Sequence, residues 1–158
     1  YNIIMSPHWL FFPTQSTDPQ YIYTAVTDNS VARGSVQSGK RKQESTGTES
    51  GDLADQFSPF STASQYELFG SDTIRFRVNN SDTSSSDYGT KTDISNNMTS
   101  ATLTVGSNTF TAESISVGGT NARPRIQLQS SGGGASTFWS ANNLDDTDDI
   151  TITITLTF

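Results

Sequence analysis

The sequence contains no cysteine and a single histidine, His8. Without thiols the chain can form neither disulfides nor thiolate zinc sites, and it has no cysteine nucleophile. A Ser-His-Asp triad would have to use His8, and no G-x-S-x-G turn is present to display a serine beside it. Because His8 lies between Pro7 and Trp9 in an apolar stretch, a packing role is expected for it. We therefore predict that the protein is not an enzyme.

Positive charge and long apolar runs are also scarce. Nine Lys and Arg residues stand against 16 Asp and Glu residues, which gives a formal net charge of -7 and an isoelectric point of about 4.4. Such an acidic chain is poorly suited to neutralising the phosphates of DNA or RNA. No apolar run approaches the ~20 residues that a membrane-spanning helix needs. Neither nucleic acid nor a membrane span is therefore expected.

The residues that are abundant favour strands over helices. Ser and Thr together form about 30% of the 158 residues. Both compete for backbone hydrogen bonds in a helix, whereas Thr is favourable on a pleated surface. Hydrophobic residues make up only 32% of the chain and aromatic residues 10%, so a small, aromatic-rich core is expected. The length fits one domain over residues 1–158.

Alternation of apolar and polar residues marks several strands. The clearest lies at the C-terminus, where Ile150 to Phe158 alternates isoleucine or leucine with threonine. Similar patterns occur at residues 21–26, 73–79, 101–105, 109–117 and 123–129, and Gly106 to Asn108 is typical of a hairpin turn. Residues 27–64 are mostly polar and predict a long loop. Together these patterns predict an all-β fold, namely an antiparallel β-sandwich or jelly roll with long polar loops.

Four of the six arginines lie on the predicted outward faces of two strands: Arg75 and Arg77 on one, and Arg123 and Arg125 on the other. If these strands are neighbours, the guanidinium groups form a positive patch on an acidic protein. Such a patch could bind carboxylates of an adjacent subunit or an anionic sugar through paired hydrogen bonds. The alternative is ordinary cross-strand charge that only keeps the surface soluble.

An acidic run precedes the last strand and contains Asp145, Asp146, Asp148 and Asp149. These carboxylates could supply oxygen ligands to Ca²⁺, although the spacing lacks the central glycine and distal glutamate of an EF-hand. The competing interpretation is a solvated turn whose charges prevent aggregation of the sticky strand that follows.

Two further groups of residues suggest carbohydrate chemistry. Phe138 and Trp139, next to three consecutive glycines, could stack on the sugar rings of a surface glycan, although core packing is the competing role for both. Glu67 and Glu113 are the pair of carboxylates that would serve glycoside hydrolysis if the fold brought them together. Neither group lies in a sequence motif of such proteins.

Taken over most of its length, with hydroxyl-rich strands, Gly/Ser/Asn turns and few lysines, the chain resembles bacteriophage tail, fibre and head-decoration proteins. The resemblance implies a structural subunit of a virion or extracellular assembly, whose partners are copies of itself or other subunits. Subunits of cell-surface filaments share this composition, and in them the Thr/Ile C-terminal strand would be a candidate for pairing between subunits. A receptor-binding or carbohydrate-binding β-sandwich domain is the alternative.

Overall fold

The computed structural model describes residues 18–27, 33–36, 39–60, 65–144 and 149–158. This part of the chain contains eleven strands and two short helices. The strands are β1 (Gln20–Thr27), β2 (Arg33–Val36), β3 (Gly39–Ser50), β4 (Phe57–Pro59), β5 (Gln65–Phe69), β6 (Thr73–Asn80), β7 (Ser100–Val105), β8 (Asn108–Thr111), β9 (Ser114–Gly119), β10 (Pro124–Gln129) and β11 (Thr151–Thr157). The helices are α1 (Lys91–Asn97) and α2 (Gly134–Ala141). The predicted all-β class is therefore confirmed.

The strands form two antiparallel sheets that share one strand. Sheet A has the order β8-β7-β11-β1-β3, and sheet B has the order β3-β5-β6-β10-β9, with β2 added to β3 and β4 to β6. The second half of β3 pairs with β1, whereas its first half pairs with β5. This arrangement is the predicted antiparallel sandwich, while the strand order does not establish a jelly roll.

The opposite flank of the sandwich is also linked by continuous chain. The N–H of Ala112 donates to the carbonyl of Ala101 on β7, at 3.0 Å, but the N–H of the next residue, Glu113, donates to the carbonyl of Gln129 on β10, at 2.8 Å. The chain therefore passes from β8 in sheet A directly to β9 in sheet B. Because both flanks are bridged, the two sheets are held over one another by backbone hydrogen bonds as well as by the core.

The core lies between the sheets and follows from the alternation of each strand. On β11, Ile152, Ile154 and Leu156 are at most 1% exposed, and the intervening threonines lie on the outer face. The inward residues of β6 and β10 meet them from sheet B; they are Ile74, Phe76, Val78, Ile126 and Leu128. Predicted strands at residues 21–26, 73–79, 101–105 and 123–129 all correspond to observed strands within one or two residues, with β9 covering the end of 109–117.

The Thr/Ile strand is not available for pairing between subunits. In sheet A, β11 is bonded to β1 on one side and to β7 on the other, so both of its edges are occupied within the chain. The expectation that this strand could complete a neighbour's sheet is wrong. The sequence pattern correctly indicated a strand, but strand position in a sheet is decided by partners distant along the chain.

The prediction of a long loop over residues 27–64 is also wrong in the part that the structure describes. That stretch contains β2, the twelve-residue β3 and β4. Strand β3 has few apolar residues because it forms the flank of the sandwich, and its described end, from Gly47 to Ser50, is exposed. Hydrogen-bonding partners on both sides stabilise it as a strand.

Helix α1 lies in the polar stretch after β6. Thr90 begins it as the N-cap: its side chain accepts a hydrogen bond from the N–H of Asp93, and the Asp93 carboxylate accepts one from the N–H of Thr90. This reciprocal pair satisfies two backbone donors that the first turn leaves open. Ile94 anchors the helix in the core.

The side chain of Asn80 fastens the polar loop that leads to this helix. Its amide group donates to the carbonyls of Tyr88 at 2.8 Å, Gly89 at 3.3 Å and Asn121 at 3.1 Å. Asn80 is 6% exposed, so these bonds satisfy carbonyls in a place where water cannot easily replace them. A loop of low hydrophobicity is thus held in a fixed shape by one buried amide.

Candidate functional site: an arginine cluster on sheet B

Strands β6 and β10 are neighbours, as the interpretation of the arginines required. In their antiparallel register Arg77 lies opposite Arg125, and Arg75 lies opposite Gln127. Because residues alternate across a strand, these side chains lie on the outer face of sheet B while Ile74, Phe76 and Ile126 lie in the core. We name Arg75, Arg77 and Arg125, together with Glu67 on the adjacent strand β5, the arginine cluster.

Arg75 is the fixed member of the arginine cluster. Its Nε donates to Oε1 of Glu67 at 2.8 Å, and its guanidinium carbon lies 3.8 Å from the centre of the Phe69 ring. The side chains of Arg75 and Glu67 are 11% and 20% exposed. An ion pair and a cation–π contact, both shielded from water, therefore hold Arg75 in a single position.

Arg125 is the member whose bonding is incomplete. It lies opposite Gly118 on β9, and a methyl group on that glycine would come within 3.1 Å of Nη2 of Arg125. The missing side chain thus makes room for the guanidinium group to lie over Gly118. The Nε of Arg125 is buried and has no hydrogen-bond partner among the residues that the structure describes, which is uncommon for a buried donor.

The electrostatic surroundings of Arg125 are unfavourable. Burial lowers the pKa of its guanidinium group, and the positive charges of Arg75 and Arg77 lower it further, while the carboxylate of Glu67 opposes them. Arginine remains protonated throughout the physiological range even so. The cluster therefore concentrates positive charge at a place where an added negative group would be stabilised.

Arg77 completes the cluster, whereas Arg123 lies outside it. Nη1 of Arg77 donates to the carbonyl of Arg123 at 3.3 Å. Arg123 itself is exposed in the turn before β10, and its guanidinium carbon lies 5.1 Å from the centre of the Phe60 ring. The expectation that Arg123 continues the outward face of the strand is wrong, because β10 begins at Pro124.

The chemistry available to this site is binding rather than proton transfer. Three guanidinium groups and one carboxylate leave two positive charges in excess among the described side chains of the cluster. Guanidinium groups match the planar fork of a carboxylate or a similar oxyanion, but they do not exchange protons near neutral pH. An acidic group from outside the chain would give Arg125 and Arg77 a counter-charge.

One feature of the sequence, two consecutive glycines, could have pointed to this site. Gly118 and Gly119 end a strand, and glycine within a strand is typical of a place where another group approaches the backbone closely. Here that group is the guanidinium of Arg125 at Gly118; at Gly119 the backbone carbonyl of Arg123 approaches most closely, with Nη1 of Arg77 beside it. The pairing of these glycines with the arginines could not be read before the register of β9 with β10 was known.

The other sequence-based candidates are separated or buried. Trp139 is fully buried in the core, so the proposal that it stacks on a glycan is wrong. Phe138, its neighbour on α2, is half-buried and packs against Phe110, with ring centres 5.6 Å apart. A helix turns adjacent residues in different directions, which is why only one of the two aromatic rings reaches the core.

Glu67 and Glu113 do not form a catalytic pair. Glu67 is paired with Arg75, while both carboxylate oxygens of Glu113 accept hydrogen bonds from Ser131. Strands β6 and β10 lie between β5 and β9, so three strand spacings, roughly 14 Å, separate their positions across the sheet. Carboxyl groups of glycosidases lie about 5 to 9.5 Å apart.

The calcium prediction rests mostly on residues outside the described part of the chain. Asp145, Asp146 and Asp148 belong to residues 145–148, which the structure does not describe, and Asp149 is exposed two residues before β11 begins. Within the described ranges, no group of three or more acidic or histidine side chains is placed to hold a metal ion. His8 also lies outside these ranges.

Comparison with known proteins supplies no relative. No protein-family model, curated protein or solved structure matches this chain. Neither helix in the described part of the chain is long and apolar enough to cross a membrane. The function must therefore be argued from the residues of the chain itself.

Proposed function

We propose that this protein is a non-enzymatic structural subunit of a virion-type or extracellular assembly, and that the arginine cluster joins it to an acidic surface of a neighbouring copy. The observation that carries the proposal is the guanidinium group of Arg125. It lies over Gly118, beside two other arginines, and its buried Nε has no hydrogen-bond partner within the described part of the chain. A contact with a carboxylate would complete its bonding.

A surface of the required charge is present on the same chain. Asp52 and Asp55 in the turn before β4, and Asp82 and Asp87 in the loop after β6, are all exposed. The two segments are bonded together, since Gln56 Nε2 donates to the carbonyl of Asp82 at 3.0 Å. We name these four aspartates the acidic end.

Contact between the arginine cluster of one copy and the acidic end of the next would join two different surfaces. Such head-to-tail interfaces generate rings if the rotation closes and filaments if it does not. Charge complementarity of this kind directs the encounter and fixes the orientation of the partners. Rings and filaments are both assemblies of repeated copies, as a non-enzymatic structural subunit would form.

The carbohydrate-binding alternative has less support. It relied on two adjacent aromatic rings, and Trp139 lies in the core. Phe138 alone remains at the surface, and part of its ring is covered by Phe110.

Sedimentation of the purified chain tests the proposal. At about 0.1 M salt we expect an oligomer, and at about 1 M salt, where the Debye length falls from about 10 Å to about 3 Å, we expect dissociation. Arg125→Gln should sediment as a monomer at low salt. Arg123→Gln is the matched control because it removes the same charge outside the cluster, and it should assemble like the unmodified protein.

Two results would contradict the proposal. One is a monomer at low salt and high protein concentration. The other is an oligomer that Arg125→Gln and Arg123→Gln weaken equally, because net charge alone would then explain the effect.

A further inference from the structure

Among the strands that the structure describes, β8 is an edge strand of sheet A. It pairs with β7 through a two-residue turn at Gly106 and Ser107, and Asn108 lies opposite Val105. Gly106 has a φ of 62°, as the first central residue of a type II′ turn requires. In this kind of hairpin the residues that flank the turn are hydrogen-bonded to each other, and the bonding alternates from there.

The alternation decides which backbone groups of β8 point away from the sheet. Asn108 and Phe110 bond to β7, and so does Ala112, whose N–H donates to the carbonyl of Ala101. The N–H and C=O groups of Thr109 and Thr111 therefore point outward. Among the described residues no hydrogen bond to these four groups is found.

The edge strand of sheet B, β9, is covered by a helix. Helix α1 packs against β9, and Nζ of Lys91 donates to the carbonyl of Gly119 at 3.1 Å. Covering an edge with a helix is one of the ways in which proteins prevent unwanted strand pairing. Strand β8, by contrast, carries no charged residue and no proline.

An open groove runs along the uncovered edge of β8, with helix α2 as its second wall. At one end of the groove Nδ2 of Asn108 donates a hydrogen bond to Oδ1 of Asn142 at 2.8 Å. At the other end lies Glu113, which is bonded to Ser131. Phe138 lines the helix wall between these ends, and Thr137 and Ala141 are exposed beside it.

We infer that the groove between β8 and α2 binds an extended peptide segment, which adds to sheet A as a further antiparallel strand. The outward N–H and C=O groups of Thr109 and Thr111 supply its backbone partners, repeated every two residues, or roughly 6.8 Å. Strand addition beside a helix is a general mode of peptide recognition, in which main-chain bonds supply affinity and alternate side chains supply specificity.

The lining of the groove defines the chemistry of the peptide. Side chains that point towards α2 meet Phe138 and Ala141 and should be apolar. Glu113 is the charged residue among those that line the groove. In an antiparallel strand the N-terminal end of the peptide lies near Glu113, so a basic residue there would be complementary.

A peptide fits this site better than a glycan does. Four backbone groups in strand geometry present donors and acceptors in a fixed alternation, which an added strand reproduces and a sugar chain does not. The inference is independent of the proposed assembly through the arginine cluster, because β8 and β10 belong to different sheets.

The probe is an acetylated, amidated heptapeptide that begins with lysine and then alternates threonine and valine. Backbone amide NMR of the full chain measures its binding. We expect saturable shifts and slowed hydrogen exchange at Thr109 and Thr111, whose amides should exchange freely without peptide. A peptide N-methylated at alternate residues on the edge facing β8 should not bind.

Two variants locate the site. Thr109→Pro removes one outward N–H without breaking the bonds to β7, because proline is tolerated where the N–H of an edge strand faces solvent. It should weaken binding about fivefold, the effect of losing one hydrogen bond worth about 1 kcal/mol. Thr109→Val keeps the N–H and the branched side chain and serves as the matched control.

Ala141→Trp tests the location of the site independently of β8. The larger side chain fills the groove from an exposed position of α2 and should abolish peptide binding without altering β8. Equal binding of the N-methylated peptide would overturn the inference. So would shifts at Thr109 and Thr111 that a neutral oligosaccharide produces and the peptide does not. Sedimentation of Ala141→Trp should match that of the unmodified protein, which separates a failure here from a failure of the assembly proposal.

Discussion

Replacing Glu67 with glutamine removes the carboxylate that pairs with Arg75 while keeping nearly the same volume. Hydrogen bonds to charged groups contribute about 1.5 to 3 kcal/mol, and breaking a fully buried ion pair costs about 3 to 5 kcal/mol. Because the Glu67 side chain is 20% exposed and that of Arg75 11% exposed, the lower range applies. We expect the free energy of unfolding to fall by about 2 kcal/mol.

Equilibrium unfolding in urea measures this loss as a lower midpoint with an unchanged slope. In a chain of this length, about 2 kcal/mol corresponds to a fall in Tm of about 4 to 8 °C. Glu113→Gln is the matched control: its carboxylate is exposed and, among the described residues, accepts hydrogen bonds from Ser131 alone, so its substitution should lower the free energy of unfolding by less than about 1 kcal/mol.

A second substitution tests the electrostatic reason for the loss. With Glu67 replaced, the positive charges of Arg75, Arg77 and Arg125 repel one another without the carboxylate that opposed them. Adding Arg125→Gln should therefore cost less stability in the Glu67→Gln protein than in the unmodified protein, and a double-mutant cycle measures the difference. A loss below about 0.5 kcal/mol for Glu67→Gln, or strict additivity of the two changes, would refute this reasoning.

Two further predictions concern the fold. Asn80→Ala leaves three partly buried carbonyls without their donor and should lower the free energy of unfolding by about 2 to 3 kcal/mol. Asn97→Ala, which removes one exposed hydrogen bond, is its control. An equal loss of stability in both variants would contradict the role given to Asn80. Leu103→Ala, at a fully buried position, should lower the free energy of unfolding in urea by about 2 to 5 kcal/mol. Thr104→Ala on the outer face should change it by less than about 1 kcal/mol. Similar effects of both substitutions would mean that the inward face of β7 is assigned wrongly.

Local pattern was sufficient to predict the strands that bury one face. Ile152, Ile154 and Leu156 alternate with threonine. A period of two places these apolar side chains on one face of the strand, and that face is the one that is buried in the core. The same holds for the alternating residues of β6 and β10. Strand β3 has no such pattern in its sequence, and its pairing with β1 and β5 on the flank of the sandwich stabilises it as a strand.

The helices illustrate a different reason for failure. The reciprocal cap between Thr90 and Asp93 could have been noticed in the sequence, although aspartate is not the usual third residue of that pattern. Helix α2 follows Gly132 and Gly133, which both have positive φ and do not favour a helix. Burial of Trp139 in the core then stabilises a helix whose serines and threonine have little preference for that structure.

By itself, the sequence determined the all-β class, the alternation of the main strands and the acidic, cysteine-free chemistry of the surface, because these follow from residue type and from spacing along the chain. Only the tertiary structure decided that Arg77 lies opposite Arg125, that Gly118 makes room for a guanidinium group, and that, among the described strands, β11 is central while β8 lies at an edge. Those are relations between residues far apart in the chain. They depend on the order and register of strands, which backbone hydrogen bonds between distant segments establish and which a local pattern does not encode.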